Sequence, residues 1–275
     1  MPRQEQAFGV LRIINKGVKN LIIYFSATGT NKYVAQELSA VTGEEMIPLK
    51  KLVKEKKYLL TIGEGEDFGV VMPTYWEGLP SILLDYLKNV EIRVEGDNHY
   101  CYFVATYGCD YGNILSTAKK EFAQKGIIFD SLYAARFVDN WSPMFNLNNK
   151  EKNHRAEENG KRETAEIVKD VLNKEVGYDL PDQMTKLQAG IAKSTYDSIR
   201  KTSYFKLDKN SCIGCGLCAN QCPTEAIKIV NGVPTWIKDT CTLCLGCFHR
   251  CPVAAIDYDN SLRNGQYVFS GVTLD

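Results

Sequence analysis

The chain has 275 residues, with 33 Lys and Arg against 33 Asp and Glu, so its formal net charge is zero. That balance excludes the strongly basic surface that recruits nucleic acid or an anionic membrane. The length suits two domains, and 44% hydrophobic with 24% charged residues is the profile of a soluble globular protein. Residues 1–18 carry Val10-Leu11 and Ile13-Ile14 split by Arg12, too short and too charged for a secretion signal, and they read as a lead that adds a short strand or none. No run reaches the length of a membrane span, so a cytoplasmic protein is expected.

Leu21 to Phe25 is a continuous apolar run that ends in Ser26-Ala27-Thr28-Gly29-Thr30-Asn31. A helical pattern follows, with Val34, Leu38 and Val41 on one side and Gly43 as its stop. A strand, a hydroxyl-rich loop and a helix start make a phosphate cradle, because backbone N–H groups and the helix dipole point at the anion. No Gly-Lys-[Ser/Thr] and no G-x-G-x-x-G is present, which argues against a nucleoside triphosphate or a dinucleotide in this loop.

Two more strands open into loops of a different kind. Phe68 to Met72 runs into Pro73-Thr74-Tyr75-Trp76-Glu77-Gly78, with a helix through Ile82, Leu83, Tyr86 and Leu87. Tyr100 to Ala105 runs into Thr106-Tyr107-Gly108-Cys109-Asp110-Tyr111-Gly112-Asn113, with a helix from Ile114 to Gln124. In an open parallel sheet the loops at the carboxyl ends of the strands line the ligand crevice. Aromatics and glycines there suit a flat ring whose edge meets backbone amides. A further strand is expected in Ile127 to Phe137, then a long loop from Asn140 to Lys152 that reads as a lid or a domain contact. A helix from Arg155 to Leu172 follows, with Ala165, Ile167, Val168, Val171 and Leu172 inward.

This series resembles the flavodoxins, whose phosphate loop has the form [Ser/Thr]-x-Thr-Gly-x-Thr; Asn31 stands where the last threonine is usual. The resemblance implies an α/β fold, a flavodoxin-like doubly wound parallel sheet, over residues 19–175, with FMN as cofactor. It places the FMN phosphate on Ser26, Ala27, Thr28, Gly29, Thr30 and Asn31. The ring would lie against Pro73, Thr74, Tyr75, Trp76, Glu77 and Gly78 on one loop. On the other it would meet Thr106, Tyr107, Gly108, Asp110, Tyr111, Gly112 and Asn113. Acidic Asp110 or Glu77 beside a flavin would disfavour its anionic reduced form and lower its potential.

Residues 176–203 read as a linker or docking helix, with Met184, Leu187, Ile191, Tyr196 and Ile199 near one face. Residues 204–275 form a second, smaller unit with a C-terminal tail, built on two runs of the form C-x2-C-x2-C-x3-C-P. The first holds Cys212, Cys215, Cys218 and Cys222, and the second holds Cys241, Cys244, Cys247 and Cys251. Three thiolates at that spacing wrap one corner of an iron-sulfur cube, and the fourth reaches the cube of the other run. One 4Fe-4S cluster is thus expected on Cys212, Cys215, Cys218 and Cys251, and a second on Cys241, Cys244, Cys247 and Cys222. Zinc has no use for a third in-line cysteine twice over, and disulfides need an oxidising compartment. His249 reads as a surface residue, Cys101 as core, and Cys109 as a small residue in a tight loop.

The second unit resembles the bacterial two-cluster ferredoxins at all eight ligand positions, and the whole resembles flavodoxin-ferredoxin fusion electron carriers of anaerobic prokaryotes. The resemblance implies an electron-transfer flavo-iron-sulfur protein relaying low-potential electrons to soluble redox proteins or a small-molecule acceptor. Two alternatives stand beside it: a flavin-dependent reductase of a small substrate fed by the clusters, and a redox or oxygen sensor. Charges in the cysteine-rich unit are balanced, which points to a partner tethered on the same chain.

Overall fold

A computed structural model describes residues 20–274; the expected lead at residues 1–18 lies outside the described residues. The first unit runs β1 (Asn20–Tyr24), α1 (Thr30–Thr42), β2 (Glu45–Pro48), α2 (Leu49–Lys54), β3 (Leu59–Ile62), β4 (Asp67–Pro73), α3 (Ser81–Asn89), β5 (Glu91–Val94), β6 (Cys101–Tyr107), α4 (Ile114–Ala123), β7 (Ser131–Arg136) and α5 (Lys150–Leu172). Five of these strands form one parallel sheet in the order β2-β1-β4-β6-β7, while β3 and β5 pair separately. Counted within the sheet alone the order is 2-1-3-4-5, the flavodoxin-like doubly wound arrangement, which puts its ligand crevice at the carboxyl ends of the central strands.

Central strands β4 and β6 are buried along nearly their whole length, as expected of a parallel sheet covered on both faces. Two apolar layers flank the sheet, one centred on Phe68, Phe103, Leu83 and Phe122, the other on Ile22, Tyr102, Tyr133 and Leu38. In α1 the inward residues are Val34, Ala35 and Leu38, and Val41 points to solvent. Helix α5 starts earlier than the sequence implied, where Asn149 caps it by accepting from the Lys152 N–H at 2.9 Å. Its inward face is Gly160, Thr164, Ile167 and Val171, whereas Ala165 and Leu172 are exposed, because the small Gly160 admits the Phe137 ring and fixes the helix rotation.

The second unit holds α6 (Lys186–Ile199), β8 (Phe205–Leu207), α7 (Leu217–Gln221), β9 (Ile227–Val230), β10 (Val233–Trp236), α8 (Gly246–His249) and β11 (Ile256–Tyr258). Strands β9 and β10 form a hairpin, and β8 pairs antiparallel with β11. Helix α6 carries a Thr185–Gln188 capping box, but only Tyr196 of its apolar residues is buried; Leu187 is 75% and Ile191 60% exposed. Tyr196 and the half-buried Ile199 therefore dock this helix by its C-terminal end, not by the full stripe that the sequence implied. The Tyr196 hydroxyl donates to the Thr242 carbonyl at 2.7 Å, and the Ser81 hydroxyl bonds the Thr242 hydroxyl at 3.1 Å. Lys50 and Lys54 reach across to the Gln221 side chain and the Asn220 carbonyl. Among the described residues no helix is long and apolar enough to cross a membrane.

Candidate functional site

The eight cysteines gather into two cavities. Cys212, Cys215, Cys218 and Cys251 line one, with Ile213, Pro234 and Val253 around it. Cys222, Cys241, Cys244 and Cys247 line the other, which also touches Phe25, Ser26 and Ala27 of the first unit. The fourth cysteine of each run thus faces the three of the other run, the crossed grouping that the spacing implied. Internal symmetry extends to the backbone: the Ala226 N–H donates to the Cys222 sulfur and the Ala255 N–H to the Cys251 sulfur, both at 3.2 Å.

Each run needs left-handed backbone to wrap its cavity. In the first run the positions are Gly214 (φ 68°) and Gly216 (φ 72°); their counterparts in the second are Leu243 (φ 52°) and Leu245 (φ 51°). Glycine takes that conformation freely, while a side chain there costs about 1–3 kcal/mol. Leu243 and Leu245 are both buried, where they wall a neighbouring cavity described below. Burial pushes the Cys218 and Cys241 thiols up to about 11 and the Cys244 thiol up to about 12. Bare thiolates are thus disfavoured, and iron would supply the charge that makes them stable. Among the described residues no group of three or more His, Cys, Asp or Glu converges closely enough to hold a single metal ion.

A larger cavity, of about 320 Å³, lies at the carboxyl ends of β1, β4, β6 and β7. Ala27, Thr28, Thr30 and Asn31 line it from the first loop, Pro73, Thr74, Tyr75, Trp76 and Glu77 from the second, and Thr106, Tyr107, Gly108 and Asp110 from the third. The first and third loops are tied together by the Thr106 hydroxyl, which donates to Asn31 Oδ1 at 3.0 Å. In the second loop Tyr75 and Gly78 exchange both backbone hydrogen bonds, and Trp76 (φ 50°) and Glu77 (φ 58°) are both left-handed. Two such residues in a tight turn store strain that the surrounding packing must hold, a feature common at functional sites.

Several expected phosphate and ring contacts stand elsewhere. Ser26 does not line this cavity; its hydroxyl accepts from the Gly29 N–H at 3.1 Å and it borders the second cysteine cavity. Gly29 lies beneath the C-terminal tail. Gly78 closes the tight turn, and Tyr111 packs into the core with its hydroxyl donating to the Pro181 carbonyl at 2.8 Å. Gly112 and Asn113 brace the second loop from behind: a Cβ on Gly112 would fall 2.2 Å from Glu77 Cβ, and the Asn113 N–H donates to the Glu77 carbonyl at 3.0 Å. These residues shape the cavity without facing it.

Other walls come from places that the sequence pointed to only in outline. The loop after β7 supplies Val138, Asp139, Asn140, Trp141, Met144 and Phe145, so the long segment is both a cavity wall and a domain contact. Trp141 meets Trp76 edge-on at 6.0 Å and Tyr258 of the second unit at 5.7 Å. Burial raises the Glu77 carboxyl, with Asp110 and Asp139 adding repulsion, and burial likewise raises Asp139. Tyr196, Leu243, Cys244 and Leu245 complete the wall from the second unit. His249 is 3% exposed, not a surface residue: its Nδ1 accepts from the Tyr267 N–H at 3.2 Å, which leaves Nε2 to donate to the Asn140 carbonyl at 3.0 Å. No sequence signal marked its burial, because its partners are backbone groups, one of them 109 positions away. Cys101 is core as expected, and Cys109 is exposed at the rim.

Residues 205–228 match the family of 4Fe-4S binding domains. With the strand order above, that settles the architecture. The chain joins a flavodoxin-like domain to a 4Fe-4S binding domain. A stretch of 24 residues, 9% of the chain, is 75% identical to F(420)H(2) dehydrogenase subunit I of Methanosarcina mazei; the chain spans only 14% of that subunit's length. Among solved structures, the Fusobacterium nucleatum flavodoxin bound to flavin mononucleotide is 12% identical with a TM-score of 0.35, over 57% of this chain and 98% of that one. Rubredoxin oxygen:oxidoreductase of Desulfovibrio gigas is 14% identical with a TM-score of 0.35, over 56% of this chain and 36% of that one.

Proposed function

We propose that the chain carries electrons between redox partners through FMN and two 4Fe-4S clusters. One observation carries this reading: Ala27, Cys244 and Leu245 each wall both the large cavity and the second cysteine cavity. A single layer of side chains thus separates the place for a flavin from the place for a cluster. The first cysteine cavity is lined by the second unit alone, where Cys215 is exposed and Ile213 is 64% exposed. The order flavin, inner cluster, outer cluster, surface follows from that placement.

The residues present fit the groups. Thr28, Thr30 and Asn31 offer polar side chains at the start of α1 for a phosphate, and Tyr75, Trp76 and Tyr107 offer aromatic surface for a ring. Thr74 lines the cavity, and its buried hydroxyl has no hydrogen-bond partner within the protein. FMN supplies a centre that takes one or two electrons, and each cluster takes one at a time. The protein holds these centres side by side, so the encounter between carriers becomes a fixed distance. Glu77 and Asp110 bring two carboxyl groups to the cavity, and negative charge there would disfavour added negative charge on a bound ring.

The test is an anaerobic redox titration of the reconstituted chain, with the flavin followed by absorbance and the clusters by EPR. One flavin per chain, two distinct cluster signals and one-electron flavin steps at potentials near the clusters are expected. A flavin reduced only in a two-electron step well above the clusters would point to a reductase of a small substrate instead.

A further inference from the structure

The C-terminal segment does more than end the second unit. From the Gln266 side chain, Nε2 donates to the Phe248 carbonyl at 2.6 Å and to the carbonyl of the cluster ligand Cys251 at 3.0 Å. The Tyr267 N–H donates to His249 as described, and its hydroxyl donates to Glu157 Oε1 on α5 at 2.9 Å while bonding the Thr30 hydroxyl. Two residues on, the Phe269 N–H donates to the Thr28 carbonyl at 2.8 Å. Its ring is buried against Tyr33 at 5.0 Å and Phe137 at 6.1 Å. A Cβ placed on Gly29 would fall 3.1 Å from Val272 Cγ2 and 3.2 Å from Phe269 Cβ, so the tail lies directly on the loop. None of residues 266–272 lines the large cavity.

We propose that residues 266–272 are a strap that holds Thr28, Gly29 and Thr30 in their ligand-binding shape. The strap sets affinity for the phosphate ester of the flavin without contributing to the ring site. Tyr267 and Phe269 are its positioning residues. This rests on the reading of the large cavity as a flavin site. The same segment grips the backbone of Cys251 and the end of α8, so the phosphate loop and the cluster module share one brace. Coupling through a shared element is reciprocal: phosphate binding at the loop must tighten the strap by the same factor that the strap tightens binding.

FMN and riboflavin separate the two claims, since they share the ring and differ in the phosphate. The full chain, loaded with clusters and stripped of flavin, is titrated with each by fluorescence quenching. Phe269→Ala should weaken FMN about tenfold, inside the roughly 5–150-fold range of typical couplings, and leave riboflavin unchanged. Tyr267→Phe should act in the same sense and less. In the unsubstituted chain, FMN but not riboflavin should slow amide exchange across residues 267–272, a readout that does not depend on how the variants fold. Equal weakening of both flavins by Phe269→Ala, or tail exchange indifferent to FMN, overturns the strap while leaving the flavin site standing. If neither flavin binds the unsubstituted chain, the flavin reading fails and the strap with it.

Discussion

The two cysteine runs share one spacing and one backbone path, yet they occupy opposite environments. The outer cavity keeps an exposed Cys215 and turns on glycines, while the inner one is walled by the first unit and turns on Leu243 and Leu245. At the same two left-handed positions, one run relieves backbone strain and the other accepts it to gain an apolar wall. A motif thus specifies what it binds, and the residues between its ligands specify where the bound group sits.

Several substitutions would sharpen or break that contrast. The largest effect is expected from Cys247→Ser, which removes an inner ligand: the inner EPR signal should vanish and electrons from photoreduced flavin should no longer reach the outer cluster. If the outer cluster is still reduced at the original rate, the serial order is wrong. Leu243→Ala comes next, with a loss of about 2–5 kcal/mol of stability for a buried leucine, measured by denaturant unfolding, together with a shift in flavin absorbance. In the outer run Gly216→Ala should cost about 1 kcal/mol through strain alone and leave the flavin spectrum unchanged. Tyr196→Phe removes the buried hydrogen bond to the Thr242 carbonyl and should cost about 1 kcal/mol.

A control far from both cavities closes the series. Glu44 is buried, its carboxyl is raised chiefly by burial, and it binds the Tyr102 hydroxyl while its other oxygen has no partner. A raised carboxyl favours the protonated folded state, so stability falls as the pH rises through the window above the ordinary value of 4.5. Glu44→Gln should therefore stabilise the chain at neutral pH, with a gain that shrinks toward that value, and both cluster signals should be unaltered. Thermal unfolding against pH measures it.

The cysteine grouping was legible because the ligand spacing is local and has few other uses. The sheet was legible from its apolar runs, and the cavity loops from their places after β1, β4 and β6. Which residues face the cavity was not: Tyr111 and Asn113 sit in the right loop but turn behind it, a matter of rotation that composition does not encode. The short β2, β3 and β5 carry too little periodicity to stand out. His249, Trp141 and Phe269 each have a partner more than a hundred positions away, and no window along the chain contains both ends of such a contact.

That last contact has a consequence for the order of assembly. Thr28 and Gly29 emerge early in synthesis, and Phe269 and Val272 emerge after all eight cysteines. This loop precedes the cysteine runs in the chain and is packed by residues that follow them. Closing so long a loop is slow in rate though modest in free energy, since closure entropy grows only with the logarithm of length. The loop at Thr28 and Gly29 therefore lacks this packing while the cysteine segment is being made, and gains it only when the tail arrives.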